Sequence, residues 1–146
     1  MPLKPLTIRL WVLRILAAVI MLQTLYFKFT GAEESVYIFS SLGIEPWGRI
    51  LTAILELIAS ILILWPRTTG IGALLAMCLM GGAILSHLAI LGIDVMNDGG
   101  QLFIYALIVF IASSGLVFSY GNQLLKLIRK KKKRKEKQIV QLEPEE

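Results

Sequence analysis

Four long apolar runs divide the chain, at residues 10–29, 48–65, 70–93 and 102–120. At a rise of ~1.5 Å per residue, a run of about 20 residues matches a hydrocarbon core of ~30 Å. The pattern predicts an all-α fold: an integral membrane four-helix bundle with a short amphipathic outer helix between the first two spans. The second run, RILTAILELIASILILWP, is the least uniform. Arg49, Thr52, Glu56 and Ser60 recur at spacings of three, four and four, so they share one stripe of a helix whose other face is Ile, Leu and Ala. A carboxylate at that depth costs ~2.5–3.5 kcal/mol on insertion scales, so it marks either a functional site or an internal partner.

The other runs carry sparser polar positions. In the first, Arg14, Ala17 or Ala18, Met21, Thr24 and Lys28 fall along one face, with Arg14 expected to snorkel to one surface and Lys28 to the other. No small-x-small cleavage pattern follows this run, which reads QTLYFKF, so it is expected to stay as an uncleaved span. In the stretch TGAEESVYIFSSLG, Thr30 and Glu33 have capping-box spacing, Val36, Phe39 and Leu42 recur every three residues, and Gly43 is a stop. A helix lying over the outer mouth of the bundle is expected here, with Pro46 at the first position of the next span. Trp47 and Trp65 stand at the two ends of that span as interfacial anchors. The short PRTTG connection makes spans two and three antiparallel neighbours. Span three is rich in Gly and Ala, and its stripe Ala73, Ala76, Met80, Ala83, His87 ends in the histidine. Gly81-Gly82 is its candidate break. Ala112 to Gly115 form the packing patch of span four.

Composition supports the membrane class: 56% of residues are hydrophobic. The net charge of +5 resides in the tail, where nine basic residues fall between positions 126 and 137 and seven of them are uninterrupted. Residues 1–125 balance six basic against six acidic side chains, which removes any reason to expect a nucleic-acid-binding body. The chain thus divides into a membrane domain, 1–125, and a basic cytoplasmic tail, 126–146, attracted to anionic lipid. Lys4, Arg9, Arg14, Arg67 and the tail fall on one side of four spans, and Glu33, Glu34, Glu45, Asp94 and Asp98 on the other. The positive-inside rule then puts both termini in the cytoplasm.

Topology sets depth. Glu56, His87 and Lys28 all belong to the outer half, with Gln23, Arg49 and Tyr105 at comparable levels. If they meet, a carboxylate and an imidazole in one cavity can exchange protons near neutral pH, which is the chemistry of a quinol site or proton relay. The bland counterpart is a polar network that pins spans one, two and three together. Cys78 is the single cysteine and reads as a small buried hydrophobe. His87 is the single histidine, so no metal-ligand cluster and no bis-His haem site is expected.

Lys28 closing span one, the segment GRILTAILELIASILILWPRTTGIGALLAM and the following GGAILSHL resemble the DoxX-like family of bacterial four-span membrane proteins. The matching motifs are Leu-Glu-Leu in span two, the Pro-Arg turn, and Ala-x-x-x-His in span three. The likeness covers residues 15–117 and excludes the tail. It implies a four-helix membrane fold and a role beside a quinone- or thiol-linked redox system, with a redox-enzyme partner subunit. The residues themselves leave two further classes open: a non-catalytic membrane scaffold that recruits a partner, and a small weak-acid transporter.

Overall fold

The computed structural model describes residues 5–142, and among these the regular structure is entirely helical. In chain order the helices are α1 (Pro5–Thr30), α2 (Glu33–Ser41), α3 (Trp47–Leu64), α4 (Thr69–Ser86), α5 (Gln101–Ser119) and α6 (Gly121–Leu142); a π-helical turn, His87–Leu91, prolongs α4. Four of them, α1, α3, α4 with its extension, and α5, are long and apolar enough to cross a membrane. Lys4 and the tail acids Glu143, Glu145 and Glu146 lie outside the described residues.

The spans close into a ring in which α1 and α4 each pack against both α3 and α5. Its core is built from small and flexible side chains: Ala17, Met21, Ala59, Ala73, Ala76 and Ala112 are buried, with Ile63, Val109 and Leu116 filling between them. Lipid is as apolar as leucine, so close packing at small residues, rather than withdrawal from water, holds such helices together. Gly72 shows how close α3 and α4 come: a Cβ there would stand 2.6 Å from the Ile63 backbone nitrogen. The bulky apolar residues Val19, Ile61, Leu85 and Phe118 point outward instead. Trp47 and Trp65 are both exposed at the ends of α3, in the anchor positions expected.

Helix ends inside a membrane must satisfy their last carbonyls without water. At the end of α3 this is complete. The Ile61 carbonyl accepts from the Trp65 N–H at 3.1 Å, and Leu62 from the Thr68 hydroxyl at 3.0 Å. Ile63 accepts from Arg14 Nε at 2.8 Å and from the Thr69 hydroxyl at 3.1 Å; Leu64 accepts from Arg14 Nη2 at 2.5 Å. Arg14 therefore does not snorkel. It is 2% exposed, lies 3.9 Å from the centroid of the Trp11 ring, and turns inward because α3 offers it carbonyls that need a donor.

The capping box expected at Thr30 is absent. Thr30 still belongs to α1, with its hydroxyl bonded to the Tyr26 carbonyl at 2.7 Å, and α2 starts after Ala32 without a side-chain cap. Gly31, at φ +67°, lets the Ala32 N–H return to the Phe27 carbonyl at 2.9 Å, the Schellman closure of α1. Pro46 precedes α3 rather than opening it. The helix runs unbroken through Gly81-Gly82; the irregularity lies further on, where the Gly92 N–H reaches back five residues to the His87 carbonyl at 2.8 Å. Cys78 is exposed on the outer face of α4, not buried. The basic tail is helical as far as Leu142, and α6 is docked at its start by Gln123, which accepts from the Gly70 N–H at 3.0 Å and donates to the Pro66 carbonyl at 3.1 Å.

Candidate functional site

The polar stripe of α3 faces the bundle: Arg49, Glu56 and Ser60 are all buried at helical spacing, beside Ala53 and Ile63. Glu56, 4% exposed, therefore points at α1 instead of lipid. There it meets Lys28, whose Nζ lies 2.6 Å from Oε1 and 2.5 Å from Oε2. Thr24 stands one turn earlier on α1, with Oγ1 3.2 Å from Glu56 Oε2, 2.8 Å from the Met21 carbonyl and 3.5 Å from Lys28 Nζ. Its hydroxyl donates to the nearer carbonyl and accepts from the lysine, so Thr24 steers the cation towards the carboxylate. Sequence reasoning missed this role, although the i, i+4 spacing of Thr24 and Lys28 was its signal.

Arg49 lies on the same stripe but answers different partners. Its Nε is 2.8 Å and 3.0 Å from the two Glu45 carboxylate oxygens. Its Nη1 donates to the Lys28 carbonyl, one of the groups left free at the end of α1. The guanidinium packs beside Gly31, 3.6 Å from where a Cβ would stand, an ordinary contact distance. Arg49 thus fixes the end of α1 and the height of Lys28, without touching Glu56.

His87 opens the π-helical turn and is 5% exposed. Nδ1 is 2.9 Å from the Gly92 carbonyl, and the ring meets Phe103 edge-to-face at 5.7 Å between centroids. A carbonyl can only accept, so in the neutral ring Nδ1 carries the proton and Nε2 is a free acceptor. Among the described residues the one buried side-chain polar atom with no partner and no accessible surface is Ser113 Oγ, so Nε2 keeps access to open space.

His87 lines a cavity of about 340 Å³, within the range of sites that take small molecules. Thr24, Lys28, Glu56, His87 and Tyr105 line its outer part; Ile20, Met21, Leu79 and Met80 line the deeper part. Ile38 and Phe39 of α2, with Leu42 and Ile44 just after it, form the roof. Lys28, Glu56 and His87 therefore share one cavity, while His87 makes no hydrogen bond to the ion pair. Tyr105 also lines it, its hydroxyl accepting from Gln101 Nε2 at 2.6 Å. Gln23 does not. It is exposed on the other side of α1, because one residue from Thr24 means a rotation of ~100° about the helix.

The loop between the π-helical turn and α5 is held by Asp98. Its Oδ1 accepts from the Val95 and Gly100 N–H groups at 3.0 and 2.8 Å, and its Oδ2 from the Leu102 N–H at 3.0 Å. Partial burial works against its ionisation, but these backbone donors, with Asp94 adding to them, outweigh it and hold the carboxyl below the usual carboxylate range.

Four apolar spans around a cavity with a buried ion pair define a small multi-pass membrane protein. The chain belongs to the DoxX-like family, whose sequence profile matches residues 12–114. The matched region contains Lys28, Glu56 and His87 and stops before α6. No curated protein and no solved structure matches the chain.

Proposed function

We propose that this chain is a membrane subunit of a quinone-linked redox system, and that its cavity takes a quinol and receives its protons. One observation carries the reading: two residues able to accept a proton, Glu56 and His87, line a cavity whose remaining walls are mostly apolar. A quinol that gives up two electrons releases two protons. In this reading the electrons pass to an oxidoreductase partner, while Glu56 and His87 take the protons. Lys28 offsets the Glu56 charge before transfer and is left without its counter-charge afterwards, which favours onward release.

The same reading orients the molecule. Arg9, Arg67 and α6 gather at one end of the spans, and Glu33, Glu34, Glu45, Asp94 and Asp98 at the other. The basic end faces the cytoplasm of a bacterial inner membrane, with both termini there and α6 against anionic headgroups. The quinol cavity then opens in the outer half.

The closeness of Lys28 to both Glu56 oxygens favours a second reading, in which the pair only pins α1 to α3. Quinol-dependent turnover in native membranes separates the two. Under the redox reading, Glu56→Gln abolishes turnover and His87→Ala lowers it sharply, each in a protein that is still inserted and folded. Normal turnover in both variants at every pH refutes the redox reading and leaves the pin.

A further inference from the structure

The cavity has a second boundary that the proton chemistry does not use. Cys78 and Gly82 line it, yet both lie on the exposed face of α4, at membrane depth. The space is therefore continuous with the lipid-facing surface beside α4. Gly82 forms a low sill there: a Cβ added to it would meet nothing within 4 Å. Gly81, its neighbour, has a different task, since a Cβ there would touch Phe110 of α5 at 3.5 Å. The glycine pair does not break the helix. One member packs and the other leaves a gap.

Charge and roof restrict what passes through that gap. Lys28 and Glu56 are the charged residues lining the cavity, and they neutralise each other. A charged solute would find no unpaired counter-charge there, and burying it would carry the full desolvation cost. A route from the water above runs into Ile38, Phe39, Leu42 and Ile44. An uncharged amphiphile dissolved in the bilayer meets neither obstacle. Its apolar part matches Met21, Leu79 and Met80, and its hydroxyl meets a lining histidine, His87, that is more than nine-tenths buried.

Resting on the quinol reading above, we infer that the cavity is loaded sideways from the bilayer, over the Gly82 sill and past Cys78, by an uncharged amphiphile carrying a ring hydroxyl. Cys78 is the one cysteine of the chain and serves as a native reporter. The test uses the full chain in phosphatidylcholine liposomes, with a decyl-substituted benzoquinol kept reduced under argon. N-phenylmaleimide, which partitions into lipid, is expected to modify Cys78, whereas a sulfonated, membrane-impermeant maleimide leaves it unmodified. Saturating benzoquinol slows the modification at least fivefold. Gly82→Leu, whose Cβ meets nothing within 4 Å, slows modification and benzoquinol uptake alike, while Gly82→Ala changes both by less than twofold. Equal reaction with the charged maleimide places the opening in water and overturns the inference. Glu56-dependent binding of the benzoquinol without protection of Cys78 overturns the sideways route and leaves the quinol reading standing. Absence of benzoquinol binding to the wild-type chain overturns both.

Discussion

Lys28 holds both carboxylate oxygens of Glu56 across the α1–α3 interface, at 2.6 and 2.5 Å. The carboxylate is nearly inaccessible and the ammonium is about one-sixth exposed, so each is the other's main compensation. Breaking a buried pair from one side leaves an uncompensated charge, at a cost of about 3–5 kcal/mol, whereas removing both partners is often neutral. Lys28→Met alone should therefore lower the midpoint of thermal unfolding in detergent markedly, and the double variant Lys28→Met, Glu56→Met should recover most of the loss. The cycle is measured by fluorescence or calorimetric melting of the three variants.

Arg14→Leu removes the donors that serve the Ile63 and Leu64 carbonyls. Thr69 still answers Ile63, so the Leu64 carbonyl bears most of the loss. A destabilisation of about 1–3 kcal/mol is expected for a partly buried acceptor that loses a charged donor. Hydrogen exchange should locate it in the last turn of α3, with little change around Glu56.

Glycines 72 and 82 should behave in opposite ways. A Cβ at Gly72 would press on backbone atoms of α3, at 2.6 Å from the Ile63 nitrogen, and backbone cannot rotate aside. Gly72→Ala should cost about 1–3 kcal/mol through overpacking, whereas Gly82→Ala should be neutral or slightly stabilising. Parallel melting curves of the two variants check this.

The spans were legible because bilayer thickness and hydrophobic runs constrain each other: residues 48–65 were expected and Trp47–Leu64 is found. The depth of Lys28, Glu56 and His87 was legible for the same reason. Rotation was not. Periodicity placed Thr24 and Lys28 on the stripe of α1, but level alone suggested Gln23, which faces away. Arg14 was misjudged because the carbonyls that attract it belong to another helix, almost 50 positions later in the chain. The turn at His87 depends on Gly92 at φ +80°, a conformation a glycine permits without announcing it. In the tail, like-charge crowding hid a helix whose start is fixed by a single glutamine, Gln123.

Asp98 supplies a pH-dependent prediction outside the membrane. Its carboxyl is held below the usual range by backbone donors, so the folded state binds its proton less readily than the unfolded chain does. Its contribution to stability is fully present above the unfolded value of about 4 and is lost as pH falls through the lower folded value. Asp98→Asn should reduce the melting temperature at pH 7 and narrow its gap to the wild type between about pH 4 and pH 2. An equal gap at both ends of that interval would contradict the assignment.

The central claim is that Glu56 and His87 present their acceptors to one ligand in one cavity. Calorimetric titration of a decyl-substituted benzoquinol into the purified chain in lipid nanodiscs tests it most directly, comparing the wild type with Glu56→Gln and His87→Gln at matched folding. Saturable binding by the wild type is expected, with at least a tenfold loss of affinity in each variant, about 1.4 kcal/mol or more. Binding of the same strength in all three proteins would contradict it.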